Sequence, residues 1–152
     1  MPDNMTDHNT QPTNTLELLN KFIRQNKKLD FKTFNFLSAK SLETLKWKGI
    51  ATESQPGVLK QAKAYQRLVR LLDDNNPKVI KALLKKNIHS AVQIASIPRK
   101  QFMAEYGKIF KNEPLMQQVY TRAMAIRSQV LIKYMNVMQN GERHAQAVRA
   151  IS

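Results

Sequence analysis

The 152-residue sequence contains no cysteine, which excludes a disulfide scaffold, a thiol nucleophile and thiolate ligation of a metal. Glycine is nearly as scarce, with four in the chain, and neither GxGxxG nor GxxxxGK(S/T) occurs. No glycine-rich loop is therefore available to cradle a phosphate. The three histidines, His8, His89 and His144, stand far apart and show no ligand spacing. Acidic residues are few: 11 Asp and Glu against 25 Lys and Arg leave a formal net charge of +14. No run approaches the ~20 apolar residues that span a membrane. The opening stretch, MPDNMTDHNTQPTN, lacks the basic start and apolar centre of a secretory signal. The expected location is the cytoplasm of the producing cell, or an export route that uses no Sec signal. The remainder, 42% hydrophobic and 24% charged, is ordinary for a folded domain.

Residues 1–13 read as a polar, disordered lead-in, residues 14–140 as one helical domain, and residues 141–152 as a tail, frayed or docked. Helical periodicity runs through the domain. A first helix opens near Asn14, whose spacing to Glu17 fits a capping box, and sets Leu16, Leu19, Phe22 and Ile23 on one face. The segment Leu29–Leu37 carries three Phe without a partner strand and reads as an aromatic-rich loop or short helix that plugs the core. Ser38 or Ser41 caps a short helix through Leu42 and Leu45, with Gly49 just past its end. A capping-box pair, Thr52 and Gln55, with Pro56 in the first turn, opens a third helix carrying Val58, Ala62, Tyr65, Val69 and Leu72. Asn76-Pro77 opens a fourth with Val79, Ile80, Leu83 and Leu84, which Asn87 stops in a left-handed conformation. Ser90 with Gln93 caps a short fifth helix. Pro98 begins a sixth, with Phe102, Met103 and Tyr106 inward and Gly107 at its end. Asn112-Glu113-Pro114 starts the longest helix, whose stripe runs Leu115, Val119, Ala123, Ile126, Val130, Tyr134 and Val137 before Asn140-Gly141 stops it. The expected fold is all-α: a compact bundle of six to eight helices, with a helix-hairpin-helix or SAM-like step over LLKKNIHSAVQIASIPRKQF and one long C-terminal helix.

No catalytic set emerges from these residues. His89 has no carboxylate near it in sequence and reads as a cap or surface imidazole. Asp73-Asp74 lacks the further oxygen ligands that a hard cation needs. No cofactor, metal or small-molecule substrate is implied, and an enzyme is not expected. The basic excess is spread over most helices. Lys60, Lys63, Arg67 and Arg70 recur at i, i+3, i+7 and i+10, and Lys78, Lys81 and Lys85 form a second row. Arg99 and Lys100 add two cations at the head of the sixth helix. Rows that face one way attract phosphate backbones or an acidic protein face; the alternative is a pair of solvated helix faces. Trp47, between Lys46 and Lys48, is the one candidate for stacking on a base, and equally a core or interface anchor. Met103, Met116, Met124, Met135 and Met138 read as adaptable core or contact residues. The turns Asn87-Ile88 and Ile97-Pro98 contain no Gly, which argues against hairpin-type DNA contact.

Three stretches, KAYQRLVRLL from Lys63, ALLKKNIHSAVQIASIPRKQFMAEYG and VYTRAMAIRSQVLIKYMNVM, resemble the N-terminal helical region of insecticidal toxin complex A subunits of the virulence plasmid A type. Ile88, Ser90, Ile94, Ala95, Arg99, Phe102 and the long helix around Ala123 to Tyr134 follow that family's order, over about residues 58–138. In the family this region belongs to the α-helical shell of a large pore-forming subunit and is not a catalytic site. The resemblance implies a fold and an assembly role, while a chain of this length has no room for the family's receptor-binding domain or channel. The expected function is a non-enzymatic interaction module, a component or accessory of a bacterial toxin or injection system, that docks a larger protein through an exposed apolar or Met-bearing face. The alternative is a small basic nucleic-acid-binding helical protein acting through the two rows of cations.

Overall fold

Among the described residues the periodic stripes become seven α-helices: α1 (Pro12–Gln25), α2 (Ala39–Leu42), α3 (Gln55–Leu72), α4 (Pro77–Lys85), α5 (Ala91–Ala95), α6 (Arg99–Phe110) and α7 (Glu113–Ile151). The computed structural model describes residues 12–73 and 76–151, and side chains over 15–73 and 76–141. Among the described residues there is no strand, so the all-α expectation holds. Most of the expected lead-in, residues 1–11, lies outside the described residues, as does Asp74.

One core collects the inward stripes. Leu19 and Phe22 of α1, Leu68 of α3, Ile80 and Leu83 of α4, Ile94 of α5, Phe102 of α6 and Val119 of α7 are fully buried. Helices α1, α3 and α4 pack on one another, and α7 lies against α5, α6 and α3. Several expected caps form. Asn76 Oδ1 accepts from the Val79 N–H, Ser90 Oγ from the Gln93 N–H and Asn112 Oδ1 from the Leu115 N–H. Asn87 takes φ +64, and the bonds Ile88 N–H to Leu83 O and Asn87 N–H to Leu84 O close a Schellman motif that buries Ile88. The α4–α5–α6 step therefore has the expected helix-turn-helix-turn-helix form.

Four expectations fail, for identifiable reasons. Thr52 and Gln55 make no capping box: Thr52–Ser54 is a 3-10 turn, and α3 starts at Gln55 with no side-chain cap. Pro56 has no N–H to satisfy, so that start needs less capping. Gly49 does not stop α2, which ends at Leu42. It sits instead in the turn closed by the Ile50 N–H to Trp47 O, with φ +79. Gly107 does not end α6. The helix runs on to Phe110, which buries its ring against Phe102, and Lys111 takes the left-handed cap at φ +55. Burying an aromatic outweighs the ~1 kcal/mol cost of a mid-helix Gly. Asn140-Gly141 likewise does not stop α7, which continues to Ile151. The expected boundary at residue 141 thus falls inside a helix.

Between α1 and α3 the chain has little regular structure, and two buried amides hold it. Asn26 Nδ2 donates to Phe22 O and Lys46 O, and its Oδ1 accepts from the Lys46 N–H. Gln66 Nε2 donates to Phe31 O and Phe34 O, both at 2.7 Å. The loop is thereby drawn onto α3, where Phe31 meets Tyr65 edge-on and Phe34 meets Phe36. This is the expected aromatic plug. Replacing Gln66 by Leu leaves two carbonyls without their donor and should lower the unfolding free energy by about 2–4 kcal/mol in urea titration. A loss under ~0.5 kcal/mol, the range of surface substitutions, would show that the loop does not depend on it.

Candidate interaction surfaces

Helix α7 is longer than the bundle it packs on. At 1.5 Å per residue its 39 residues extend about 58 Å. Its first three turns are seated: Met116, Val119, Tyr120 and Ala123 are buried. Three side chains cap carbonyls at the ends of other elements. Tyr120 Oη donates to Ile97 O at 2.7 Å, Arg122 Nη1 to Leu71 O at 3.0 Å and Arg127 Nη1 to Ala95 O at 3.5 Å. Cations suit such helix C-termini.

Beyond Ala123 the same stripe continues with nothing packed on it. Val130 is 48% exposed, Tyr134 62% and Val137 68%. A parallel row, Met124, Leu131, Met135 and Met138, is also open to solvent. At 3.6 residues per turn these side chains and Ile126 fill about half the circumference, with Ile132 on the opposite side. Residues 124–141 contain two charges, Arg127 and Lys133, in eighteen positions, against 24% charged for the whole chain. A helix face solvated throughout its working life is normally charged. Of the sequence-expected stripe, then, only the part through Ala123 is core. The signal for the rest was the scarcity of charge after Arg127, where Lys133 stands alone up to Gly141. The Met-bearing exposed face expected of an interaction module is present here; Met116 belongs to the core and Met103 is half-buried.

The cations of the basic rows divide between two grooves and open surface. Lys63, Arg67 and Arg70 line a groove of about 450 Å³ against residues Thr33–Leu37. Lys81 lines another, of about 420 Å³, with Arg24, Lys27 and Lys32. Lys60, Lys78 and Lys85 are exposed and line neither of these grooves. Two of the cations are structural ties: Arg67 Nε donates to His89 O and Arg70 Nε to Lys32 O. Arg99 lies over the Tyr120 ring at 5.7 Å, and Lys100 is exposed. Trp47 is half-buried, packed against the core with its ring 4.8 Å from that of Phe22. Sequence spacing missed a set around the 26–34 loop. Arg24, Lys27, Lys28 and Lys46 border a groove of about 500 Å³ in which Asp30 is the only acid. They sit at the end of α1 and in a loop, where no helical period links them.

Among the described residues no three of His, Asp and Glu come together to hold a metal, and no helix is long and apolar enough to cross a membrane. Asp73 is committed to structure: its carboxylate accepts from Lys32 Nζ at 2.7 Å and lies 3.7 Å from Arg122 Nη2. Those cations hold its pKa below the ordinary carboxylate value. His89 is partly buried beside the Ser90 cap, and its backbone N–H donates to Gln93 Oε1. Comparison with protein-family models, with curated proteins and with solved structures finds no match.

Burial, and then the charges of Arg67 and Lys60, push the His89 pKa below 6.5. Between that depressed value and 6.5 the unfolded chain binds more protons than the folded one, so stability rises with pH there. The thermal midpoint should fall as pH is lowered from about 8 to about 5, and His89→Asn should flatten that slope. An unchanged slope in the variant would clear His89. Asp73 acts in a separate, more acidic window: its depressed pKa contributes stability that is fully present above the ordinary carboxylate value and is lost as pH falls through the folded value.

Proposed function

We propose that this chain is a non-enzymatic helical assembly module, and that it works by packing the overhanging half of α7 against a helical segment of another polypeptide chain. One observation carries the reading: the stripe buried through Ala123 continues for four further turns with its apolar side chains in water. Most helical stability in proteins comes from packing an amphipathic face, and here that face is left open to solvent. A contiguous apolar surface above roughly 300–600 Å² marks an interaction site on a typical monomer. The resemblance to the helical shell of toxin complex A subunits supports the same role, as a component or accessory of a bacterial toxin or injection system.

The double variant Leu131→Glu, Met135→Glu tests this, because both positions lie beyond the bundle. Its thermal midpoint should match that of the wild type, while the assembly recovered by cross-linking in the producing cell should disappear. An assembly that survives both charges would overturn the reading.

A second reading, binding of a nucleic-acid backbone, draws on the grooves around the 26–34 loop, where Arg24, Lys27, Lys28 and Lys46 converge with one acid. It requires an affinity that falls with salt at a log–log slope near −0.9 per phosphate neutralised. Glu at Lys27, Lys28 and Lys46 should then flatten that slope by roughly three contacts in fluorescence titrations with a DNA duplex. Titrations that show no salt-dependent binding would remove this reading.

A further inference from the structure

We infer that the two hollows flanking the 24–30 segment form one docking site for an acidic peptide segment of another protein, one with two apolar side chains separated by Asp or Glu. The site lies apart from the overhang of α7, so the inference goes beyond the assembly reading and does not depend on it. It takes cations that the nucleic-acid reading also uses and assigns them a different ligand.

The lining alternates between apolar and cationic. One hollow, of about 500 Å³, has Leu29, Phe34 and Leu45 in its lining, and the other, of about 420 Å³, has Leu29, Phe31 and Val69. The two share Arg24, Asn26, Lys27, Leu29 and Asp30. Arg24 and Lys27, both exposed, thus stand on the ridge between them. Lys28 and Lys46 add cations to the first hollow and Lys81 adds one to the second.

These cations lack acids. Asp30 is the one carboxylate in either lining. Its Oδ1 accepts from the Lys32 N–H at 2.9 Å, and its carbonyl accepts from the N–H groups of Thr33 and Phe34, so it is bound into its own turn. Among the described residues no carboxylate pairs with Arg24, Lys27, Lys28, Lys46 or Lys81.

The walls are fixed before a ligand arrives. Asn26 holds both the N–H and the C=O of Lys46. Gln25 does the same to Lys48: its Nε2 donates to Lys48 O at 2.9 Å and its Oε1 accepts from the Lys48 N–H at 2.8 Å. These amides tie the wall at residues 44–46 to the end of α1, while Gln66 ties Phe31 and Phe34 to α3. A site ordered in advance loses little freedom when it is occupied.

The relief selects among occupants. A nucleic-acid backbone presents an unbroken row of phosphates, which matches the ridge alone. A lipid surface needs apolar groups that protrude, whereas Leu45 and Val69 are recessed, 9% and 2% exposed. A second copy carries the same net charge of +14 and is repelled. An acidic peptide with apolar anchors brings carboxylates to the ridge and side chains to both hollows.

Fluorescein-labelled peptides test this, each with two leucines separated by two, three or four glutamates and flanked by glutamates. Anisotropy titration of the whole chain should find a spacing that saturates at one peptide per chain. Exchanging both leucines for serine should weaken binding at least tenfold. The double variant Lys27→Glu, Lys46→Glu should also lose about tenfold with an unchanged thermal midpoint, and Leu131→Glu, Met135→Glu should bind as the wild type does. Serine peptides that bind as tightly as leucine peptides would mean bare charge attraction and overturn the site. A DNA duplex that binds more tightly than every peptide would return these cations to nucleic acid and overturn it too. So would the absence of saturable binding at every spacing, or loss of binding in the α7 variant, which would put the peptide on the overhang. The assembly reading stands or falls separately, on the cross-linked assembly in the producing cell.

Discussion

Phe102 holds the position on which the exposed surfaces depend. Its ring is fully buried and lies 5.2 Å from Tyr106, 5.9 Å from Phe110 and 5.4 Å from Tyr120. Tyr120 belongs to α7 and the other three to α6, so this cluster seats the long helix on the bundle at one height. The Tyr120 hydroxyl fixes that height further by donating to Ile97 O. Once the helix is seated there, geometry settles the rest. The bundle buries three turns, holds a fourth through Arg127 and Ala95 O, and the helix then leaves it.

Five of the 25 basic residues are structural ties. Arg67, Arg70, Arg122 and Arg127 each donate to a backbone carbonyl elsewhere in the fold, and Lys32 pairs with Asp73. A protein with few acids has few salt-bridge partners to offer, so its guanidinium groups satisfy carbonyls at loop and helix ends instead. This changes the meaning of the net charge. Arg67 and Arg70 would have to serve any anion with their remaining N–H groups, whereas the lysines at the end of α1 carry no such commitment.

The overhang and the bundle obey different rules. Inside the bundle, local signals are overruled where burial gains more: α6 passes Gly107 to bury Phe110, and Lys111 accepts a left-handed backbone to end the helix there. In the overhang beyond Arg127 the apolar side chains are exposed, and burial gains nothing that could overrule a local signal. Helix α7 passes Asn140-Gly141 because a single Gly weakens a helix by only ~1 kcal/mol, and no competing turn or packing partner draws the chain away.

The sequence by itself determined the all-α class, the number of helices within its expected range, and the caps at Asn76, Ser90 and Asn112. These depend on hydrophobic period and on side chains that bond to their own neighbours, both of which are local. It also displayed the whole stripe of α7 from Leu115 to Val137. Only the tertiary structure decided where along that stripe the core stops, because periodicity states which face is apolar and not how far a neighbouring helix extends. The same holds for the cations around the 26–34 loop and for the burial of Trp47. They are brought together by an irregular segment whose path is set by Asn26 and Gln66, through hydrogen bonds to carbonyls 20 to 35 residues away in sequence.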